Sequence, residues 1–373
     1  MKILHVISTL DVGGAEMHVL SQVRGQVARG HVVRVAYLLG EGALVADYEA
    51  AGARCLGCVG RGPLALWKLR PHLRWADLVH SHLLRADFVT AAAVCLFGSR
   101  RRLVSGKHND ERALLRPLVS RLHGLVGRVP ARTIVLSDHV GRFVAEHGRV
   151  PIEAQERVYY GIDPTPFRDA AGNAVSRARL RAEFGFGSQD LVLVCVARFA
   201  PQKAHEVLIA ALAQARQEAP VRLLLVGGDP FGKGVERARA VAQDLGVEQD
   251  GTCVFAGIRR DVPALMGASD GFAMASRWEG LGLVFLEAMA AGLPVLSTTV
   301  SAIPEVVQDG ITGQLVAADD AGALAQVMVE WASDPQRRQA LGEAGRQRVN
   351  AEFGLDRMVD ETLAIYEDVV AQA

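Results

Sequence analysis

Residues 191–228 read LVLVCVARFAPQKAHEVLIAALAQARQEAPVRLLLVGG. Leu191–Ala197 is a continuous apolar run rich in β-branched residues. Arg222–Val226 is a second one, and between them Glu206–Gln217 has apolar residues at helical spacing. A strand apolar on both faces suits a parallel sheet covered on both sides, and a helix between two such strands makes the crossover. The pattern predicts one strand–helix–strand unit.

The same alternation extends in both directions. Earlier runs are Ile3–Ser8, Val33–Leu39, Leu78–His80, Leu103–Ser105 and Thr133–Leu136; later ones are Thr252–Ala256, Gly271–Met274 and Pro294–Thr298. Helical patterns such as Ala15–Ala28 and Gly322–Ala332 separate them. Repeated alternation predicts doubly wound α/β sheets. The series restarts near Leu191 after a polar stretch, Asp163–Asp190, holding Pro164, Pro166, Gly172, Gly185 and Gly187, and the interdomain linker is expected there. A chain of 373 residues fits two domains.

Hydrophobic residues make up 50% and charged residues 22%, which excludes a disordered or fibrous chain. The 41 basic residues balance the 41 acidic ones, but unevenly: residues 1–168 hold 23 Lys+Arg against 14 Asp+Glu, and residues 169–373 hold 18 against 27. The basic half points to an anionic ligand or surface. No apolar run approaches the ~20 residues a spanning helix needs; the longest is Val89–Phe97. The opening MKILHVIST turns polar too early for a signal peptide and is read as a first strand. The expected compartment is the cytoplasm. Cys195 and Cys253 are expected in the core, and Cys55 and Cys58 form a lone C-x-x-C with no second pair to complete a metal site.

Three segments carry chemistry. In STLDVGGAEMHVL (Ser8–Leu20), Gly13 and Gly14 precede a helix whose N-terminus could hold a phosphate, although the G-x-G-x-x-G spacing of a dinucleotide site is missing. Arg198 leaves the end of one strand and Lys203 starts the next helix, a placement that suits a diphosphate. Glu279 and Glu287, in Ser276–Val316, are spaced E-x7-E. On one helix that spacing spans about 12 Å, too far for a glycosidase acid–base pair at about 5–9.5 Å. Separate contacts to a polyhydroxy ligand fit better.

The E-x7-E segment resembles the signature of retaining GT-B glycosyltransferases of family 4, and the resemblance runs nearly the whole chain. DLVHSH (Asp77–His82), SGKHND (Ser105–Asp110), YYGID (Tyr159–Asp163), ARFAPQKAHEVL (Ala197–Leu208) and AIPEVVQDGITGQLV (Ala302–Val316, with Glu305) match further family segments. Tyr160 stands where the family has Asn, Ala204 where it commonly has Gly, and Ser301–Ala302 where it commonly has Gly-Gly. The resemblance implies an α/β GT-B fold, two Rossmann-like domains facing across a cleft: 1–168 for the acceptor, 169–355 for the nucleotide sugar, and a terminal helix 356–373 packing back on the first.

It further implies that Gly13, Gly14, Arg198 and Lys203 hold the donor diphosphate and Glu287 the ribose. Glu279 and His108 would contact the transferred sugar, Ile258 the base, and the backbone of Leu281, Gly282 and Leu283 the sugar and phosphate. His108, Glu279, Arg198 and Lys203 are the candidate catalytic residues. The expected reaction moves a sugar with retention from a nucleoside-diphosphate sugar, UDP- or GDP-linked, to a glycan or lipid-linked glycan acceptor. No two Asp are two apart, so the Asp-x-Asp of metal-dependent transferases is absent, and neither metal nor cofactor is expected. A nucleotide-sugar 2-epimerase and a non-catalytic sugar-nucleotide-binding protein are the alternatives.

Two features stay open at this level. ERALLRPLVSRLHGLVGR (Glu111–Arg128) spaces Leu114, Leu115, Leu118, Val119, Leu122, Leu125 and Val126 helically, with Arg112, Arg116, Arg121 and Arg128 largely off that stripe. It is either a helix packed on the sheet with a solvated basic face, or a contact for an anionic membrane, with peripheral attachment to the inner face of the cell membrane. Nucleic acid is not expected, since no aromatic-interleaved basic motif accompanies the charge. His80 and His82 share one face of a strand, with no third metal ligand evident from spacing.

Overall fold

The computed structural model describes every residue except 12, 60–62, 99–101, 230–231 and 373. The chain forms two compact units, Met1–Ile162 with Phe353–Ala373, and Asp163–Glu352.

Unit 1 is a seven-stranded parallel sheet in the order β3-β2-β1-β4-β5-β6-β7. The strands are β1 (Lys2–Ile7), β2 (Val32–Tyr37), β3 (Arg54–Gly57), β4 (Leu78–His82), β5 (Leu103–Lys107), β6 (Arg132–Val135) and β7 (Gln155–Arg157). Unit 2 has six strands in the order β10-β9-β8-β11-β12-β13: β8 (Leu191–Val196), β9 (Val221–Val226), β10 (Cys253–Gly257), β11 (Gly271–Ala273), β12 (Val295–Thr298) and β13 (Gly313–Val316). Both sheets reverse their strand order beside the first strand, between β1 and β4 and between β8 and β11. Such switch points place loops at the carboxyl ends of two adjacent strands, where α/β sheets bind ligands.

The β8–β9 unit that opens the reading is present, with helix His205–Ala215 as its crossover. Arg54–Gly57, Gln155–Arg157 and Gly313–Val316 are strands that apolar continuity did not mark. They end or flank the sheets and are only partly buried.

The expected boundaries shift. The chain leaves unit 1 after Ile162, not at 168, and returns at Phe353, not at 356. The residues expected to be a linker form helices Thr165–Ala171 and Ala174–Glu183 of unit 2. Asn173 caps the second by accepting from the Ser176 N–H at 2.9 Å. Its anchors are guanidinium groups: Arg177 and Arg181 donate to Asp270 and to the Gly267, Ser269, Gly187 and Asp190 carbonyls. A helix held by arginine lacks the apolar periodicity that reveals most helices.

At the return point, Ile162 donates to the Phe353 carbonyl and Leu355 to the Ile162 carbonyl, each at 3.0 Å. Helix Leu355–Ala371 then packs on helix Gly14–Ala28. Gln22 Nε2 donates to Thr362 Oγ1 at 3.1 Å, and Arg29 pairs with Asp356 and Asp360. Val359 sits against Gly25, where a Cβ would overlap it. Among the described residues, no helix is long and apolar enough to cross a membrane.

Candidate active site

The unit 2 candidates gather at the carboxyl ends of β8, β10 and β11. Arg198 follows β8 and is exposed, with Nη2 at 3.4 Å from Gln202 Oε1. Lys203 ends the short 3-10 turn Pro201–Lys203. The next residue, Ala204, has φ +45, the left-handed conformation glycine adopts freely. Ser301 lies at φ +51. Both places where the chain departs from the family's glycine therefore keep the backbone that glycine serves, now carried by side chains.

Lys203 Nζ and Glu279 Oε1 form an ion pair with both side chains largely buried. Ser276 Oγ donates to the same carboxylate oxygen at 2.7 Å. Gln202 braces the loop from below. Its Nε2 donates to the Trp278 carbonyl at 2.7 Å, and its own carbonyl accepts from Arg277 N at 2.8 Å. The sequence assigned Lys203 to phosphate and Glu279 to sugar as separate contacts, but the structure joins them.

Gly282 caps helix Leu283–Ala290 at φ +84, where a Cβ would run into the Phe285 ring. Only glycine satisfies both constraints, and with no side chain at the cap the N–H groups at the start of that helix have no side-chain partner there. Glu287 lies on this helix. Among the described residues its carboxylate has no hydrogen-bonding or ionic partner, and desolvation pushes its pKa up to about 7. Ile258 follows Gly257, stands 80% exposed, and lies over Gly228.

In unit 1, Gly13 is the extended N-cap of helix Gly14–Ala28. The Glu16 carboxylate folds back over Gly13 and accepts from Thr9 Oγ1 at 3.0 Å. The place read as a phosphate loop therefore holds a carboxylate of the chain itself, as expected of a helix N-terminus that attracts anions.

His108, just after β5, is buried with both ring nitrogens engaged: Nδ1 with Tyr160 OH at 2.8 Å and Nε2 with His82 Nδ1 at 2.9 Å. A sugar contact from this imidazole needs one partner to yield. Burial lowers its pKa to about 4, so it is neutral at pH 7. Pairing of β1 with β4 sets His5 beside His80, and His82 lies on the same face. The third imidazole that spacing did not reveal is thus His5. His5, His18 and Gln26 were not singled out, and Tyr160 was noted only as a departure from Asn, because residues that a strand, a helix and a loop bring together leave no local pattern.

The basic helix is Pro117–Val126, and Pro117 is its first residue. It is inside out. Its buried residues are Ser120, His123 and Gly124, whereas Leu118 and Leu125 are 69% and 66% exposed, and Leu115 and Leu122 are exposed too. For Leu115, Leu118, Leu122 and Leu125 this corrects the reading in which the stripe packs on the sheet, whereas Leu114 of the same stripe is buried and Val126 packs against the core. The inward side is polar because it meets a buried charge: Lys107 Nζ lies 2.5 Å from Asp87 Oδ2 and 2.9 Å from His123 Nε2. Arg100 and Arg101, part of the basic first half, lie outside the described residues. Cys55 and Cys58 are free thiols, and burial raises both pKa values, so the C-x-x-C lacks thiolate character.

Two doubly wound units, with carboxylates and cations at the switch point of the second, are the arrangement expected of a GT-B fold. Residues 12–165 match the model "Glycosyltransferase Family 4" and residues 176–348 match "Glycosyl transferases group 1". The chain is 31% identical over 353 residues to a GDP-mannose-dependent alpha-(1-6)-phosphatidylinositol monomannoside mannosyltransferase of Mycolicibacterium smegmatis. That match covers 90% of this chain and 89% of the relative. It is 32% identical over 242 residues to a D-inositol 3-phosphate glycosyltransferase of Salinispora arenicola, covering 63% and 53% of the two chains. In fold it is similar to Anabaena HepE in complex with UDP and glucose, with TM-score 0.89 at 23% identity over 98% of this chain and 99% of that one. The chain belongs to glycosyltransferase family 4.

Proposed function

We propose that the enzyme transfers a sugar, with retention at the anomeric carbon and without a metal ion, from a nucleoside-diphosphate sugar to a lipid-anchored glycan acceptor. The observation that carries this reading is the buried Lys203–Glu279 pair, followed eight residues on by Glu287, which has no partner among the described residues. Breaking the anomeric bond leaves negative charge on the nucleoside diphosphate. Lys203, Arg198 and the N–H groups at Gly282 and Leu283 supply positive potential for it. When phosphate draws Lys203, Glu279 is released toward the sugar hydroxyls. Glu287, ionised, accepts from both ribose hydroxyls. Retention follows from attack on the face the diphosphate leaves, its oxygen taking the acceptor proton.

GDP-mannose is the first donor to test, because the mycobacterial relative carries it in its name. The test is thermal shift against UDP, GDP, ADP and their sugars with and without EDTA. One nucleotide is expected to stabilise the protein equally in both conditions. Stabilisation abolished by EDTA overturns metal independence, and no response from folded protein overturns the donor site.

The outward leucines favour peripheral attachment to a membrane carrying the acceptor. Arg116 and Arg121 are exposed on the same segment as Leu118 and Leu125, a mixture that suits an anionic interface. Flotation with phosphatidylglycerol vesicles is expected to carry the protein up. The variant Leu118→Asp/Leu125→Asp is expected to stay at the bottom with unchanged melting temperature, since both side chains already face out. Equal flotation of the two proteins rejects this surface.

A further inference from the structure

The imidazoles around His108 form one connected line. Tyr160 OH meets His108 Nδ1 at 2.8 Å, His108 Nε2 meets His82 Nδ1 at 2.9 Å, His82 Nε2 meets His5 Nδ1 at 2.8 Å, and His5 Nε2 meets Gln26 Oε1 at 2.9 Å. Every member is buried.

The direction of this line can be worked out from its far end. Gln26 Oε1 can only accept, so His5 Nε2 carries the hydrogen. A neutral imidazole has one N–H, so His5 Nδ1 is an acceptor and His82 Nε2 must donate to it. By the same step His82 Nδ1 accepts, His108 Nε2 donates, and His108 Nδ1 accepts the Tyr160 hydroxyl proton. Burial holds His5 and His108 at pKa values of about 4, and His82 well below its usual value, so the neutral form is the one to count. The direction rests on Gln26 Oε1 facing His5 Nε2 at 2.9 Å, while Gln26 Nε2 makes no hydrogen bond among the described residues. Tyr366 meets His80 Nδ1 at 2.5 Å.

We propose that Gln26, His5 and His82 are positioning residues that lock His108 in its Nε2–H tautomer, so that its Nδ1 can only accept, with the Tyr160 hydroxyl occupying that acceptor until a sugar hydroxyl replaces it. The first part stands on the geometry of the line and the neutrality that burial gives its imidazoles, whereas the replacement rests on reading His108 as a sugar contact. Tyr160 is held for this role by stacking on His18, with centroids 3.9 Å apart. Gly106 leaves the space: a Cβ there would lie 2.8 Å from His80 Nε2, 3.0 Å from His82 Nδ1 and 3.1 Å from His108 Nε2. A side chain at 106 would force His80 to shift and crowd His82 and His108.

His5, His80 and His82 also have the proximity of a metal triad. Both nitrogens of His5 and His82 are already spent in the line, and only His80 Nε2 lacks a partner.

The experiment is long-range ¹H–¹⁵N correlation of ¹⁵N-histidine-labelled full-length protein at pH 7, without ligand and then with zinc chloride. The expected spectrum shows His5, His82 and His108 neutral with the proton on Nε2, unchanged by zinc. A proton on Nδ1 of any of the three, an imidazolium, or zinc-dependent shifts overturns the proposal. Gln26→Leu is expected to give mixed tautomers at His108. Tyr160→Phe keeps the ring and the tautomers but empties the acceptor. It is expected to lower the donor-sugar KM by about 3- to 10-fold, the worth of one neutral hydrogen bond, with nucleoside-diphosphate affinity unchanged. A raised or unchanged KM beside intact tautomers rejects the replacement step and leaves the locked line standing; the spectrum and the kinetics therefore fail separately.

Discussion

Lys203→Ala is expected to lower turnover by about 10²- to 10³-fold, the usual cost of removing one preorganised donor from a centre where negative charge develops. The same change strands Glu279, which is 5% exposed and pairs directly with Lys203. An uncompensated buried carboxylate costs about 3–5 kcal/mol, so a fall in melting temperature should accompany the kinetic loss. The two effects separate in the double variant Lys203→Ala/Glu279→Gln. It removes the stranded charge and should regain most of the stability while staying inactive. Lys203→Arg keeps the cation and should retain more activity than alanine. A folded Lys203→Ala enzyme that turns over like the parent would remove Lys203 from the proposed chemistry.

Glu287 sets the second large effect, a dependence on pH. Its pKa rises from 4.5 in the unfolded chain to about 7 in the folded one. The folded state therefore holds the proton more tightly. That contribution to stability is fully present below pH 4.5 and is lost as pH climbs through about 7. Without ligand at pH 8, Glu287→Gln should be more stable than the parent, on the order of 2 kcal/mol. Binding runs the other way. Two ribose hydroxyls donate to an ionised carboxylate, so nucleotide affinity should rise about tenfold from pH 6 to pH 8 through this group. The diphosphate titrates over the same range, so the readout is the difference between parent and Glu287→Gln measured by calorimetry with the same nucleotide. Parallel pH profiles would show that Glu287 does not hold the ribose.

Much of this site could be read in the chain. Glycine at 282, the E-x7-E spacing and the cations at 198 and 203 are consequences of local order, in which a strand end, a turn and a helix start follow one another within a few residues. Pairings were not legible. Lys203 leaves β8 and Glu279 leaves β11, and the two meet because the sheet places those strands side by side. The Pro117–Val126 helix shows the reverse case. Its leucine period was plain, but which face turns inward depended on Lys107 and Asp87, a buried charge pair on other elements that needed His123 beneath it.

The sequence by itself determined the two wound α/β units, the family, and the residue types at each strand end, because periodicity and turn chemistry act over a few residues. The tertiary structure decided what those residues do to one another. It turned a suspected linker into two helices, the second held by arginine, joined an assigned phosphate ligand to an assigned sugar ligand, and lined up His5, His82 and His108 behind Tyr160. Those contacts join residues tens of positions apart, brought together by sheet order and helix packing, which local sequence does not encode.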